Sequence, residues 1–318
     1  MTDFRCRNAT LPEVSMMLDW AAKEGWNPGL DDAKPFYQAD PDGFFVAETE
    51  DTVVAAISVV NHSDDHAFLG LYLCLPEYRG RGIGFGLWTH ALAHAGDRTV
   101  GLDGVPAQEA NYRTSGFILA GRTCRWTGQF EPVDTGFVLA EPGDFADIAE
   151  LDRAATGVWR NRFLRAWLEN GATRKTVVLR KGGAVTGFAT ARTCRTGCKI
   201  GPIIAPDVHE AERLARQAAA SIDEKHVTID VPASAEPFAD LLAKKGFAQN
   251  FNTARMYRGT APSTLETLHA VASLELGGGV RRIRTSLNLD SNTAPYAAPR
   301  PRHSAKAAAR LSLKLSRE

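Results

Sequence analysis

Leu71-Tyr72-Leu73-Cys74-Leu75-Pro76-Glu77-Tyr78-Arg79-Gly80-Arg81-Gly82-Ile83-Gly84-Phe85 is the stretch on which the fold turns. The apolar run from Ala67 to Leu75 reads as a strand that Pro76 ends. Phe85, Leu87, Trp88, Ala91, Leu92 and Ala95 then recur with helical period. Between the two, three glycines within Gly80 to Gly84 let backbone N–H groups turn inward with no side chain in the way. The helix start adds partial positive charge, and Arg79 and Arg81 supply more at the rim. Such a loop is a cradle for a diphosphate. A triphosphatase loop would need Gly-Lys-Ser or Gly-Lys-Thr, which is missing here. A dinucleotide loop would follow the first strand of a parallel βαβ unit, whereas this one follows three antiparallel-looking strands. The plainer reading is a glycine-rich turn with two exposed arginines.

Working outward, Phe44 to Ala47, Val53 to Val60 and Ala67 to Leu75 read as successive strands, and Leu11 opens a helix with Thr10 as cap and Pro12 in its first turn. After the loop and its helix come a strand at Thr99 to Leu102, a helix near Ala107 to Thr114, and a strand from Phe117 to about Phe130. The second half repeats the order. Phe137-Val138-Leu139 opens it, with helices at Pro142 to Ala155 and Trp159 to Trp167. Strands follow at Thr176 to Leu179, Gly187 to Ala191 and Lys199 to Ile204, then a helix at His209 to Ile222, a strand at Val227 to Val231 and a helix at Pro237 to Lys245. Ser115-Gly116-Phe117 and Lys245-Gly246-Phe247 end the corresponding helices in the same way, which suggests duplication. The expected class is α+β: a mixed, mainly antiparallel sheet flanked by helices.

A chain of 318 residues, 44% hydrophobic, is long enough for two globular units. Residues 1–131, 132–278 and 279–318 divide it into a first domain, a diverged second domain and a tail. Thirty-seven basic residues balance 37 acidic ones, so the whole-chain charge points to a small or neutral partner and away from nucleic acid. Five scattered cysteines do not form a disulfide framework, and neither they nor the histidines have metal-ligand spacing. With no signal pattern and no apolar run long enough to span a bilayer, the expectation is a soluble cytoplasmic protein without a metal. From Val280 to Glu318, nine Lys or Arg face only Asp290 and Glu318, with Pro295, Pro299 and Pro301 among them. This composition predicts a solvated, disordered tail, the alternative being a basic arm for RNA or an acidic lipid.

Arg79, Gly82 and Gly84 also meet the Arg/Gln-x-x-Gly-x-Gly/Ala signature of the GCN5-related N-acetyltransferase (GNAT) superfamily, which the chain resembles over residues 3 to 278. The lead-in Leu75-Pro76-Glu77-Tyr78 agrees, as do Glu24-Gly25-Trp26-Asn27-Pro28, Gly101-Leu102-Asp103-Gly104-Val105 and Asn111-Tyr112 before Gly116-Phe117. Ile200-Gly201-Pro202, Ile229-Asp230-Val231-Pro232 and Arg255-Met256-Tyr257-Arg258-Gly259 look like the pieces of a second such domain, as in a tandem subgroup.

The resemblance implies acetyl-coenzyme A as co-substrate. Backbone groups of Tyr72, Leu73 and Cys74 would pair with the pantetheine arm, and Gly80, Arg81, Gly82, Ile83, Gly84 and Phe85, with Arg79, would hold the diphosphate. It implies direct attack by a primary amine of a small molecule in a ternary complex, with an N–H near Cys74 stabilising the oxyanion. Tyr112 would be the general acid, since a phenol stays protonated at neutral pH. For the base Asp103 is the first candidate and Glu24 the second. Either instead binds the acceptor's positive charge, and Asp103 equally serves to shape a turn with Gly104. Trp26 and Tyr37 wall the acceptor pocket or fill the core. Arg192, Arg195 and Arg255 either read an acidic group or lie on the surface. In the second half Ile204-Ala205-Pro206-Asp207 leads into Val208-His209-Glu210-Ala211-Glu212, with no glycine and with acids that would repel a diphosphate, so no cofactor is expected there. A different class of function is an acyl-coenzyme A sensor or scaffold without turnover. The acceptor's identity and the oligomeric state are not specified by sequence.

Overall fold

The computed structural model describes residues 3–131 and 136–277; the tail expected over 279–318 lies outside the described residues. The first half runs β1 (Arg5–Asn8), α1 (Leu11–Lys23), α2 (Ala33–Ala39), β2 (Phe44–Thr49), β3 (Thr52–Asn61), β4 (His66–Cys74), α3 (Ile83–Ala93), β5 (Thr99–Gly104), α4 (Glu109–Thr114) and β6 (Ile118–Gln129). The second runs α5 (Phe145–Thr156), α6 (Asn161–Trp167), β7 (Arg174–Lys181), β8 (Ala184–Thr193), β9 (Cys198–Ile204), α7 (Val208–Ser221), β10 (His226–Pro232), α8 (Glu236–Lys244), β11 (Ala248–Arg258) and β12 (Leu268–Ala270). Local chemistry accounts for many boundaries. The Thr10 N–H donates to the Glu13 carboxylate at 2.8 Å and starts α1, whose Val14, Met17, Leu18 and Ala21 face the core. Phe137-Val138-Leu139 is not a full strand, since only Leu139 bridges to Val177.

All twelve strands form one sheet, in the order β1-β2-β3-β4-β5-β11-β6-β10-β9-β8-β7, with β12 added to β9. Its antiparallel character is interrupted only by the parallel pairs β4–β5 and β9–β10. The centre is an exchange: β11 of the second half lies between β5 and β6 of the first, and β6 lies between β11 and β10. The two halves are therefore sewn together rather than apposed. Two ion pairs fasten the exchanged strands in matching places. Arg255 of β11 grips Asp103 of β5, and Arg125 of β6 grips Asp230 of β10 through bonds of 2.7 and 2.9 Å.

One face of the sheet packs against α3 in the first half and against α7 and α8 in the second. The opposite face carries α1, α2 and α6, with Phe36, Phe163 and Trp167 at the centre of that core. Among the described residues no helix is long and apolar enough to cross a membrane.

Candidate active site

The loop after β4 takes the cradle form read from its glycines. Gly80 and Gly82 have φ of 71° and 80°, and a Cβ on either would meet nothing within 4 Å. Both therefore need glycine for backbone reasons while leaving the space in front of them open. Gly82 caps α3 without a side chain, so the N–H groups of its first turn point outward with the helix dipole behind them. The residues present fit a diphosphate. Arg81 is exposed beside the Tyr78 ring, but Arg79 is not at the rim as expected: its Nε donates to the Cys74 carbonyl at 2.9 Å and its Nη2 lies 3.4 Å from Glu24. It braces the end of β4. Phe85 is 74% exposed, so any contact with a diphosphate is through its backbone.

From this loop an opening runs into the sheet. Strands β4 and β5 pair from His66–Thr99 to Leu69–Leu102 and then part, so that their ladder stops short of the end of β4. A bulge sits at the point of parting, where Leu71 and Tyr72 together oppose Ile57 and Leu71 adopts φ 47°. The bulge turns Leu71 into the α1/α2 core and Tyr72 toward α3. The Tyr72 ring lies 5.4 Å from that of Trp88, and its hydroxyl would stand 2.6 Å from a Cβ on Gly84. Gly84 is thus required by Tyr72 as well as by the cradle.

Tyr112 stands on the α3 side of the same opening. Its ring stacks on Trp88 at 5.8 Å and lies so close to Gly104, at the end of β5, that a Cβ there would fall 2.1 Å from it. Burial pushes its phenol up to about 12, so the hydroxyl keeps its proton. Such a group donates protons.

Asp103 is not an open carboxylate. It and Arg255 are wholly buried, and Asp103 also accepts from the Thr253 hydroxyl at 3.0 Å. Burial pushes Asp103 up against the pull of the Arg255 charge. Its counterpart Asp230 makes the same kind of pair in a half without a cradle, so the pairing by itself is a feature of the sheet. Glu24, the second candidate, is at the Cys74 end of β4, paired with Arg79 and 31% exposed in its side chain. The Trp26 carbonyl accepts from Lys199 at 2.8 Å and Arg125 at 3.3 Å, which draws this loop onto the seam between the halves. Tyr37 packs beside Phe44, 6.3 Å between rings, at the edge of the core. The surface reading of the arginines fails for two of three: Arg192 is buried on Asp32 and Arg255 on Asp103, while Arg195 is exposed against Asp19. Among the described residues no group of three or more His, Cys, Asp or Glu is placed to hold a metal.

Comparison with known proteins bears on this geometry. Residues 11–117 match the acetyltransferase (GNAT) family and residues 148–270 the acetyltransferase (GNAT) domain. A holothin acyltransferase of Pseudoalteromonas sp. (strain SANK 73390) is 35% identical over 274 residues, covering 85% of this chain and 93% of the relative. The chain belongs to the GNAT acetyltransferases. It is a tandem GNAT protein and an acyltransferase. A putative acetyltransferase from Pyrococcus horikoshii shares the fold over 87% of this chain and 97% of its own, with a TM-score of 0.72 at 20% identity. A tandem GNAT protein from the clavulanic acid biosynthesis pathway does so over 81% and 100%, with a TM-score of 0.56 at 17% identity.

The second GNAT half has the same opening, already filled. Strands β9 and β10 pair from Cys198–Val227 to Ile200–Ile229 and then part, and Gly201 and Pro202 form the matching bulge opposite Thr190. Strand β12 lies in the gap. It pairs with Ile203 and Ile204, and the following Val271 N–H donates to the Asp230 carbonyl at 3.0 Å. A Cβ on Gly201 would be 2.1 Å from the Val271 oxygen. The anion position is filled too, because the Asp207 carboxylate caps α7, accepting from the His209 and Glu210 N–H groups at 2.9 Å. Glu210 and Glu212, expected to repel a diphosphate, instead pair with Arg213, Arg216 and Lys245.

Beyond β12 the chain crosses to the first half, and this segment was invisible in the sequence pattern. Arg192 donates to the Ala272 carbonyl at 2.9 Å, and Ser273 to Gly277 form a tight loop on the face opposite α3. Within it the Glu275 carbonyl oxygen lies so near Gly70 that a Cβ there would be 2.0 Å away. The only signal was Gly70 itself, a glycine inside a strand marking close backbone approach.

Proposed function

We propose that this acyltransferase transfers an acetyl group from acetyl-coenzyme A to a primary amine of a small molecule, by direct attack in a ternary complex. The observation that carries the reading is a glycine-rich helix start with no side-chain cap, continuous with the parting of β4 and β5. A diphosphate at Gly80 to Phe85 lets the pantetheine arm run along Tyr72, Leu73 and Cys74 where β4 and β5 have parted, delivering the thioester to the bulge. There the amine attacks the carbonyl carbon, the C–N bond forms, the C–S bond breaks, and the amine gives up one proton. A backbone N–H near Cys74 meets the negative charge on the carbonyl oxygen. Tyr112, held protonated on the α3 side, gives its proton to the leaving thiolate.

The name of the holothin acyltransferase supports a small acceptor, and holothin is the first amine to try. Thiol release from acetyl-coenzyme A in the presence of holothin and a panel of primary amines tests the reading. Amine-dependent release is expected. Binding of acetyl-coenzyme A with no release above hydrolysis would instead indicate a sensor.

A further inference from the structure

Tyr112 accounts for one proton of the reaction, but the proton the amine loses has no acceptor once Asp103 is committed to Arg255. The acceptor reaches the parting of β4 and β5 from the face opposite α3, since the α3 side holds the cradle, Tyr72 and Tyr112. On that opposite face the crossing segment lays Glu275 against Gly70, the last residue before the bulge. Glu275 is 5% exposed, and no hydrogen bond or ion pair forms on its carboxylate among the described residues. A carboxylate so little exposed and not committed to an ion pair is available to a ligand that meets it. Other carboxylates buried nearby, Asp32, Asp103 and Asp230, are each held by an arginine.

Burial works against the charge of both Arg125 of β6 and Lys199 of β9, and lowers Lys199; the negative charges of Asp230 of β10 and of Glu275 oppose it at each. On the same face Thr123 of β6, 1% exposed, has a hydroxyl without a partner, beside the Thr253 that supports Asp103. The C-terminal end of the loop is fixed by two bonds. His62 Nε2 is 2.9 Å from the Leu276 carbonyl, and Arg160 donates to the Gly277 carbonyl at 2.9 Å.

We infer that Glu275 receives the acceptor amine and takes the proton it loses on attack, so that the second half supplies the base for chemistry conducted on the first. The inference rests on the acyl-transfer reading. Acid and base then stand on opposite faces of the sheet, Tyr112 toward the sulfur and Glu275 toward the nitrogen. One proton passes from the amine nitrogen to the carboxylate and another from the phenol to the thiolate, which leaves as the thiol; between turnovers the carboxyl releases its proton to solvent and the phenolate takes one up.

The test uses the full chain and its E275Q and E275D variants, with acetyl-coenzyme A and holothin as probes, read by thiol release and by calorimetry of the donor. The expected result is a fall in kcat/KM for the amine of about 100-fold or more in E275Q, in the range of general base removal. Donor affinity should stay unchanged, and E275D should recover part of the loss. E275Q turning over at the wild-type rate would overturn the inference and leave acyl transfer intact. So would a loss of donor binding parallel to the loss of rate, since that marks Glu275 as mere support for Lys199 and Arg125. If the wild type binds acetyl-coenzyme A yet releases no thiol, the acyl-transfer reading fails on its own account, and holothin binding decides for Glu275. Binding to the wild type that E275Q loses supports the site; equal binding, or none to the wild type, refutes it.

Discussion

The two halves share a scaffold and differ in what occupies it. Each has a parallel strand pair that parts after four or three residue pairs, a two-residue bulge at the parting, and an aspartate on the next strand gripping an arginine of the exchanged strand. In the second half, chain atoms fill both demands of that scaffold: Asp207 supplies an anion to the helix start, and β12 lies in the gap. In the first half, Gly82 gives the helix start no side-chain cap, and among the described residues no strand lies in the gap. The same fold thus leaves an opening in one half and fills it with its own backbone in the other. The comparison also sorts features that look catalytic: those present in both halves hold the sheet together, and those confined to the first are candidates for chemistry.

The largest effect should therefore come from a shared feature. D103N and D230N each leave a buried arginine uncompensated and should cost about 3–5 kcal/mol in urea unfolding. A fully stable D103N with lost activity would restore Asp103 as a base. G82V, confined to the open half, strains a left-handed position and fills the cradle, and calorimetry should show acetyl-coenzyme A affinity falling at least about 100-fold. Undiminished binding in the folded variant would remove the cradle from the account. Y112F should lower kcat by about 100-fold with donor affinity unchanged.

Matched alanines sharpen the contrast. G201A drives a methyl into the Val271 carbonyl and should cost about 1–3 kcal/mol, with donor binding retained. G70A pushes the Glu275 loop instead and should cut turnover at least as much as stability. Equal effects of the two on turnover would deny the loop a role in the reaction. A smaller effect is pH-dependent. Burial, then the charge of Arg160, holds His62 at about 4, below the ordinary 6.5. Between those values the unfolded chain binds a proton that the folded one does not. Stability from this group is thus complete above pH 6.5 and declines toward pH 4, by about 1–2 kcal/mol at pH 5. Urea unfolding at pH 7.5 and pH 5 should show the decline, and H62N should shed it.

The glycine loop, the succession of strands and the order shared by the halves were legible because each rests on local pattern: φ-positive glycines, period-two and period-3.6 burial, and a proline after β4. Short elements without such a pattern were not. β1 is Arg-Cys-Arg-Asn, β12 is three residues, and α2 contains a proline. The strand exchange could not be read at all, because β6 and β11 pair across more than a hundred residues and nothing in their composition names the partner. The same blindness hid the partner of Asp103, whose neighbours in the chain suggest a turn while Arg255 lies 152 residues away. Glu275 escaped because its segment has no periodicity. It was visible only once Gly70 was seen to need the space.

Calorimetric titration of the full chain with acetyl-coenzyme A, repeated on G82V, tests the central claim most directly. One site per chain that disappears with the substitution is the predicted result. Two sites, or a single site that survives G82V, would show that the second half's own strand and aspartate do not close it to the cofactor, and would contradict the account.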